Sequence, residues 1–423
     1  MLEDYRWLVS DAAAAWLARV AADAPGDPAV LIPRLRKDLS AARAHLVVEQ
    51  LDLRSRARDK FSFADQMFFT RKGLEQATDE QIAAYKAARF PSGELAVDLC
   101  CGIGGDLLAL AARGSVLGCD LDPVSVILAQ ANLSVLGCDT SRSQAQVADA
   151  LELPLGGAPW HIDPDRRPAG RRTTTGELFE PPLAALEQLL AAHPTAAIKL
   201  APATILPDPW CERSQLEWLG SRGECRQQVA WCGDLTLHAG QRAATIVDAV
   251  GGPRTLVGRG DEPIPVADSL GKYLYEPHSA VLAAKLTGVL CGAHALAAVA
   301  PGVGYLTDNG RGRESLPKHD FADRSTQLGK DSRPLSTPRA DPALAAFEIL
   351  DVLPLDQKQL KTYCRERRIG RLEVKKRGVE IDPEKLRKAV IGEGENERTL
   401  IVTPLQGLIR AIVASRIVES RLG

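Results

Sequence analysis

Val97-Asp98-Leu99-Cys100-Cys101-Gly102-Ile103-Gly104-Gly105-Asp106 runs from an apolar strand straight into a glycine turn that opens a helix at Leu107. Glycine suits that turn because the backbone must reverse tightly and let a ligand come close. A second acid, Asp120, ends the next apolar run 22 residues after Asp98, where a carboxylate can accept both hydroxyls of a ribose. A third, Asp149, follows the third run and is placed to take an adenine amino group. Three acids at successive strand ends make one ligand crevice at the carboxyl edge of a parallel sheet.

The loop also says which ligand suits it. Gly102 and Gly104 lead to Leu107, so the third glycine of a dinucleotide fingerprint is missing, and Asp98 would face a pyrophosphate at close range. S-adenosylmethionine presents an ammonium, a sulfonium and a neutral ribose, which match an acid-lined loop. A turn that merely joins strand to helix is the plainer reading, and three acids in phase argue against it. The residues resemble class I S-adenosylmethionine-dependent methyltransferases: Asp98, Gly102 and Gly104 match the first motif, Asp120 the second and Asp149 the third. Cys100 departs where many members have glycine, although trimethylguanosine synthase-like enzymes also carry a larger residue there. The resemblance implies S-adenosylmethionine held by Asp98, Cys100, Gly102, Gly104, Asp120 and Asp149. The adjacent thiols Cys100 and Cys101 read as small apolar fillers before they read as a redox pair.

The fourth run leads into His161-Ile162-Asp163-Pro164-Asp165-Arg166-Arg167, with Arg171 and Arg172 close behind. In the family this position carries an acceptor-facing motif, in which an acid and a proline carbonyl accept hydrogen bonds from the amine to be methylated. Asp163 and Pro164 match it; Asp165 and Arg166 remove the second proline and the aromatic platform that would stack on a base. Arg166, Arg167, Arg171 and Arg172 suit a phosphate-bearing acceptor, because guanidinium groups grip phosphate bidentately. Pairing of Arg166 and Arg167 with Asp163, Asp165 or Asp106 is the alternative. Lys199, at the end of the fifth run, reads first as an ion-pair partner of Asp163 and second as a base for a ribose 2′-hydroxyl. Cys211, beyond a proline-rich bend, is poorly placed for covalent catalysis.

Outward from this centre, residues 1–90 show helical spacing, and seven short apolar runs alternate with helical stretches from Glu94 to Val250. The runs are Leu95–Leu99, Val116–Cys119, Ala145–Ala148, Trp160–Ile162, Ala196–Leu200, Gln228–Trp231 and Ala243–Val247. The fold class expected is α/β: a Rossmann-like seven-stranded methyltransferase domain over 91–306 with a helical extension, behind a helical N-terminal region over 1–90. Residues 286–306 read as a buried helical hairpin, His294 and Pro301 arguing against a membrane span. Residues 307–343 read as a linker with the composition of a disordered segment, and 344–423 as a small α+β domain.

That last domain holds nine basic residues against three acids between Asp356 and Gly378. Its stretch Ile369-Gly370-Arg371-Leu372-Glu373-Val374-Lys375-Lys376-Arg377-Gly378, followed by Asp382-Pro383, resembles the THUMP-like domain found behind a group of bacterial and archaeal methyltransferases. The resemblance implies an RNA partner, tRNA or rRNA, gripped by Arg371, Lys375, Lys376 and Arg377; a solvated basic face is the plainer alternative. The same group carries segments like Leu74–Thr78 and Tyr273–Pro277, whose spacing suggests a lid over the cofactor and a wall of the acceptor pocket, with Gln76 and Glu276 as their polar residues.

The 423-residue chain has 52 basic and 54 acidic residues, a net charge of −2 that hides segregation. Residues 1–33 carry −3, residues 34–72 carry +5, residues 346–423 carry +4, and by difference residues 73–345 hold −8. An acidic centre with basic flanks suits a cationic cofactor and a polyanionic acceptor. Nine scattered cysteines without a C-x-x-C pair fit a reducing cytoplasm and give no zinc pattern, so no metal is expected. The expected activity is therefore methyl transfer to RNA, at a base exocyclic amine such as guanine N2. A ribose 2′-O-methyltransferase, a small-molecule methyltransferase and an inactive RNA-binding protein are the alternatives.

Overall fold

The structure, a computed structural model, describes residues 1–22, 27–165, 179–308 and 337–417. It forms two compact units, Met1–Leu219 with Gln227–Gly240, and Gly220–Arg226 with Gln241–Gly423.

The first unit opens with six helices: α1 (Leu2–Leu8), α2 (Asp11–Ala22), α3 (Pro28–Leu35), α4 (Ala41–Ala57), α5 (Arg71–Gln76) and α6 (Glu80–Ala87). Their starts follow from short polar caps. Asp27, Ser40, Thr70 and Asp79 each accept a backbone N–H of the first turn of α3, α4, α5 and α6. Leu8, Leu17, Val20, Leu35, Ala44 and Val47 close a small core of their own.

The sheet follows: β1 (Leu95–Leu99), β2 (Ser115–Asp120), β3 (Ser143–Val147), β4 (Trp160–Ile162), β5 (Ala196–Leu200), β6 (Gln215–Ser221) and β7 (Glu224–Cys232), with α7 (Gly105–Ala111), α8 (Pro123–Val135), α9 (Leu183–Ala192) and α10 (Asp208–Arg213) between them. Their order is β3-β2-β1-β4-β5-β7-β6. β1 to β5 run parallel and β7 runs against β5. Strand order reverses between β1 and β4, and in open α/β sheets ligands bind outside the carboxyl ends at such a switch point. Gln215–Ser221 is not among the expected runs, and the sheet to which these strands belong has nine strands, not the seven expected. The expected run at 243–247 forms β8 (Arg242–Ile246), paired in the second unit with β9 (Arg254–Gly258).

The second unit is built on a seven-stranded sheet of order β11-β12-β10-β13-β16-β15-β14. These strands are β10 (Tyr273–Pro277), β11 (Leu296–Ala298), β12 (Leu306–Asp308), β13 (Leu344–Pro354), β14 (Ile369–Lys376), β15 (Asn396–Leu405) and β16 (Leu408–Arg416). The helices are α11 (Ser279–Ala283), α12 (Thr287–His294), α13 (Gln357–Glu366) and α14 (Pro383–Val390). β10 pairs antiparallel with β13 across the expected linker, so residues 273–308 share a sheet with the C-terminal strands. The stretch 286–306 is a helix and then two strands, not a helical hairpin. Ala295 adopts a left-handed φ of 54° that ends α12, and Leu296–Ala298 pairs with β12. Residues 309–336 of the expected linker lie outside the described residues. Among the described residues no helix is long and apolar enough to cross a membrane.

Candidate cofactor and acceptor site

β1 delivers Asp98 to the switch point, and the chain then turns through Cys100 at φ 57°, Gly102 at 54° and Gly104 at 98°. These are left-handed values that glycine takes freely and cysteine rarely. A Cβ on Gly102 would meet nothing within 4 Å, so the turn faces open space on that side. Gly105 is needed for another reason: a Cβ there would stand 3.0 Å from the Thr78 nitrogen, so the chain after α5 lies directly on the start of α7. Asp120 is fixed from both sides, its Oδ2 accepting from the Gly102 N–H at 2.8 Å and its Oδ1 from the Asp122 N–H at 2.9 Å. Burial raises the Asp120 carboxyl above its ordinary value, with those two N–H groups opposing. Asp149 is exposed beyond β3 and accepts from the Leu151 N–H.

Beneath the turn lies a buried polar cluster that sequence reasoning did not assemble. Register sets Asp98 of β1 beside His161 of β4, and both side chains leave the same face of the sheet. His161 Nδ1 lies 2.7 Å from Asp98 Oδ1, and its Nε2 lies 3.1 Å from the Lys86 Nζ of α6. Lys86 in turn pairs with Asp106 Oδ1 at 2.7 Å, and Thr78 donates to Asp106 Oδ2 at the same distance. Asp98 and His161 are each 1% exposed, Lys86 2% and Asp106 8%. Burial alone would raise Asp106, yet the paired Lys86 ammonium, with Lys199 beyond it, holds it well below the ordinary carboxylate range. Burial pushes the Lys86 ammonium down against the pull of Asp106, and pushes the Asp98 carboxyl up against His161. Asp98 Oδ2 is buried without a hydrogen-bond partner.

The acceptor end starts one residue beyond β4. The Asp163 N–H reaches the Leu99 carbonyl at 3.4 Å, which sets this acid beside the glycine turn. Its Oδ2 lies 2.5 Å from the Nζ of buried Lys199, so these two expected site residues meet as an ion pair. Pro164 is buried next to them. Asp165, read in the sequence as a departure from the motif and as an alternative partner of Arg166 and Arg167, receives Lys72 at 3.0 Å and Gln76 Nε2 at 3.3 Å. The Gln76 carbonyl accepts from Lys199 at 3.4 Å. The segment Leu74–Thr78 therefore touches the acceptor loop through Gln76 and the base of the cofactor turn through Thr78. Arg166, Arg167, Arg171 and Arg172 lie outside the described residues.

In the second unit, Glu276 takes Lys375 at 2.9 Å and Arg377 at 3.1 Å. Lys376 donates to the Ile381 carbonyl at 2.7 Å, and Arg371 stands 3.4 Å from Glu397. Four basic residues expected on RNA thus already have partners within the unit. Lys358, Lys361 and Arg365 do not: they are exposed on one stripe of α13, opposite Leu360 and Cys364 in the core, and carry no ion pair among the described residues. Their spacing along α13 is a signal the sequence offered and the β14 run obscured.

An amine-bearing cofactor fits the crevice on two observations, the orphaned Asp98 oxygen and the open space over Gly102. Residues 344–416 match the family described as THUMP domain-like. Over 371 residues the chain is 28% identical to uncharacterized S-adenosylmethionine-dependent methyltransferases of two Mycobacterium tuberculosis strains, covering 85% of this chain and 93% of theirs. A crystal structure of a provisionally assigned methyltransferase from Porphyromonas gingivalis W83 shares the fold at 20% identity and a TM-score of 0.69, covering 95% of this chain and 98% of that one. Fold, crevice and relatives define the class: an S-adenosylmethionine-dependent methyltransferase with a THUMP-like C-terminal domain.

Proposed function

We propose that the protein methylates RNA, tRNA or rRNA, at a base exocyclic amine such as guanine N2. The observation that carries the reading is Asp163, a partly exposed carboxylate beside the glycine turn with one oxygen held by Lys199. In this reading Asp98, Cys100, Gly102, Gly104, Asp120 and Asp149 hold the cofactor. When bound, S-adenosylmethionine supplies a methyl group on a sulfonium already activated for displacement. The protein's own task is then placement and exclusion of water. The second lone pairs of Asp163 and the Pro164 carbonyl accept the amine hydrogens and aim the nitrogen lone pair at the cofactor side. Lys199 holds Asp163 in place through their ion pair. Lys72 and Gln76, through Asp165, brace the loop on which Asp163 sits.

The THUMP-like match and the α13 stripe support a polyanionic acceptor, with Arg166, Arg167, Arg171 and Arg172 as further phosphate ligands. A ribose 2′-hydroxyl is the second reading, with Lys199 as base. The 2.5 Å ion pair to Asp163 favours the amine, because a lysine engaged in that pair has no free lone pair to take a proton.

The test is incorporation of label. The protein is incubated with radiolabelled S-adenosylmethionine and total RNA from a strain lacking it, and the labelled nucleoside is identified. Label in an N-methylated base supports the reading; label confined to small molecules overturns the RNA assignment.

A further inference from the structure

The Lys86, Asp106, His161 and Asp98 cluster has a charge problem that geometry makes explicit. A lysine ammonium only donates, so the 3.1 Å contact makes His161 Nε2 the acceptor and leaves the ring hydrogen on Nδ1, where it donates to Asp98 Oδ1. Lys86 and Asp106 then cancel, the imidazole is neutral, and Asp98 leaves one uncompensated negative charge. Lys199 and Asp163, at the ends of β5 and β4, cancel each other, and Asp120 at the end of β2 offers no cation. The thiols of Cys100, Cys101 and Cys119, which surround Asp98, are pushed up by burial and contribute no charge. A buried, unpaired carboxylate is costly unless it meets a cation or a proton. Its free oxygen, Oδ2, is the atom without a partner.

We propose that His161 is a positioning residue for the cofactor: its Nδ1–H fixes Asp98 so that Oδ2 meets the cofactor ammonium, and ligand binding expels a proton from the Asp98–His161 pair. The proposal rests on the methyltransferase reading of the crevice. Without ligand, burial favours the protonated Asp98 carboxyl; the arriving ammonium favours the carboxylate, and the displaced proton passes to solvent. Affinity therefore rises with pH as the unliganded Asp98 carboxyl titrates. Lys86, held by Asp106, keeps the imidazole in the tautomer that donates to Asp98.

S-adenosylhomocysteine, which keeps the ammonium and replaces the sulfonium by a neutral thioether, is the probe. Calorimetry in two buffers of different ionisation enthalpy should show proton release on binding and weaker affinity at acid pH. His161→Phe, with its fold checked by circular dichroism, should bind about ten- to hundredfold more weakly, the loss expected for a hydrogen bond to a charged group. His161→Asn, whose amide N–H can replace Nδ1–H, should stay within a few-fold of the parent. Asp98→Asn should bind without releasing a proton. Parent binding with no proton release, or equal affinity in His161→Phe and the parent, overturns the proposal. Failure of the parent to bind S-adenosylhomocysteine at all overturns the methyltransferase reading instead.

Discussion

Asp163 is where the acceptor reading is most exposed at the scale of single residues. It touches Lys199 rather than any group of the glycine turn's acids, so removing it should spare cofactor binding. Asp163→Ala is expected to reduce turnover by at least a hundredfold while S-adenosylhomocysteine affinity changes by less than about threefold, read by label incorporation and calorimetry on one preparation; general positioning groups contribute on the order of 10² or more. Asp98, Asp120 and Asp163 were legible because each sits at or just past a strand end, where a polar residue after an apolar run stands out, and Gly102 because a glycine-rich turn follows the first of these runs. Lys86, Asp106 and His161 were not. They come from α6, α7 and β4, and each alone resembles an ordinary polar residue of its element. Only the register of β1 against β4 sets Asp98 beside His161 and shows that a polar residue fills a core position in both strands.

The same cause hid an element. β6 is buried along its whole length although Gln215 and Glu217 sit within it. A strand with buried Gln215, Glu217 and Ser221 side chains breaks the apolar pattern by which strands are found. Helix α6 and the turn after it supply the partners. Tyr85 donates to Glu217 Oε1 at 2.7 Å, Arg89 reaches Oε2 at 3.2 Å, and Trp231 of β7 donates to Oε2 at 2.7 Å. Arg89 also donates to Gln215 at 2.9 Å and lies over the Trp231 ring. Helix α6 and the turn after it are thus tied to β6 and β7 by charge, and α6 also carries Lys86 to Asp106 and to His161 of β4. Glu217→Ala leaves Arg89 without its carboxylate and should destabilise the protein by about 3–5 kcal/mol, read as a lower urea midpoint. An unchanged midpoint would mean that the anchor contributes nothing to stability.

Charge segregation along the sequence survives in the folded molecule only in part. In the basic segment 34–72, Arg71 pairs with Glu49, Arg58 with Asp65 and Arg56 with Asp52. In the C-terminal segment Glu276, contributed by a distant stretch of chain, takes up both Lys375 and Arg377. A sum over residues 346–423 cannot see the Glu276 pairing, because that partner lies far outside the segment. The basic surface that remains on α13 makes a specific demand on RNA binding. Reversing Lys358, Lys361 and Arg365 to Glu should weaken RNA affinity at least tenfold and flatten its salt dependence, each lost phosphate contact lowering the slope by roughly one. The cofactor affinity should stay unchanged, since these residues belong to the other compact unit. Equal RNA affinity in the reversed protein would remove the stripe from the interface.

A crystal structure with S-adenosylhomocysteine tests the central claim most directly. The account predicts the ligand over Gly102, with its ammonium on Asp98 Oδ2, its ribose hydroxyls on Asp120 and its thioether sulfur turned toward Asp163. A ligand bound elsewhere, or with its ammonium away from Asp98, would contradict it.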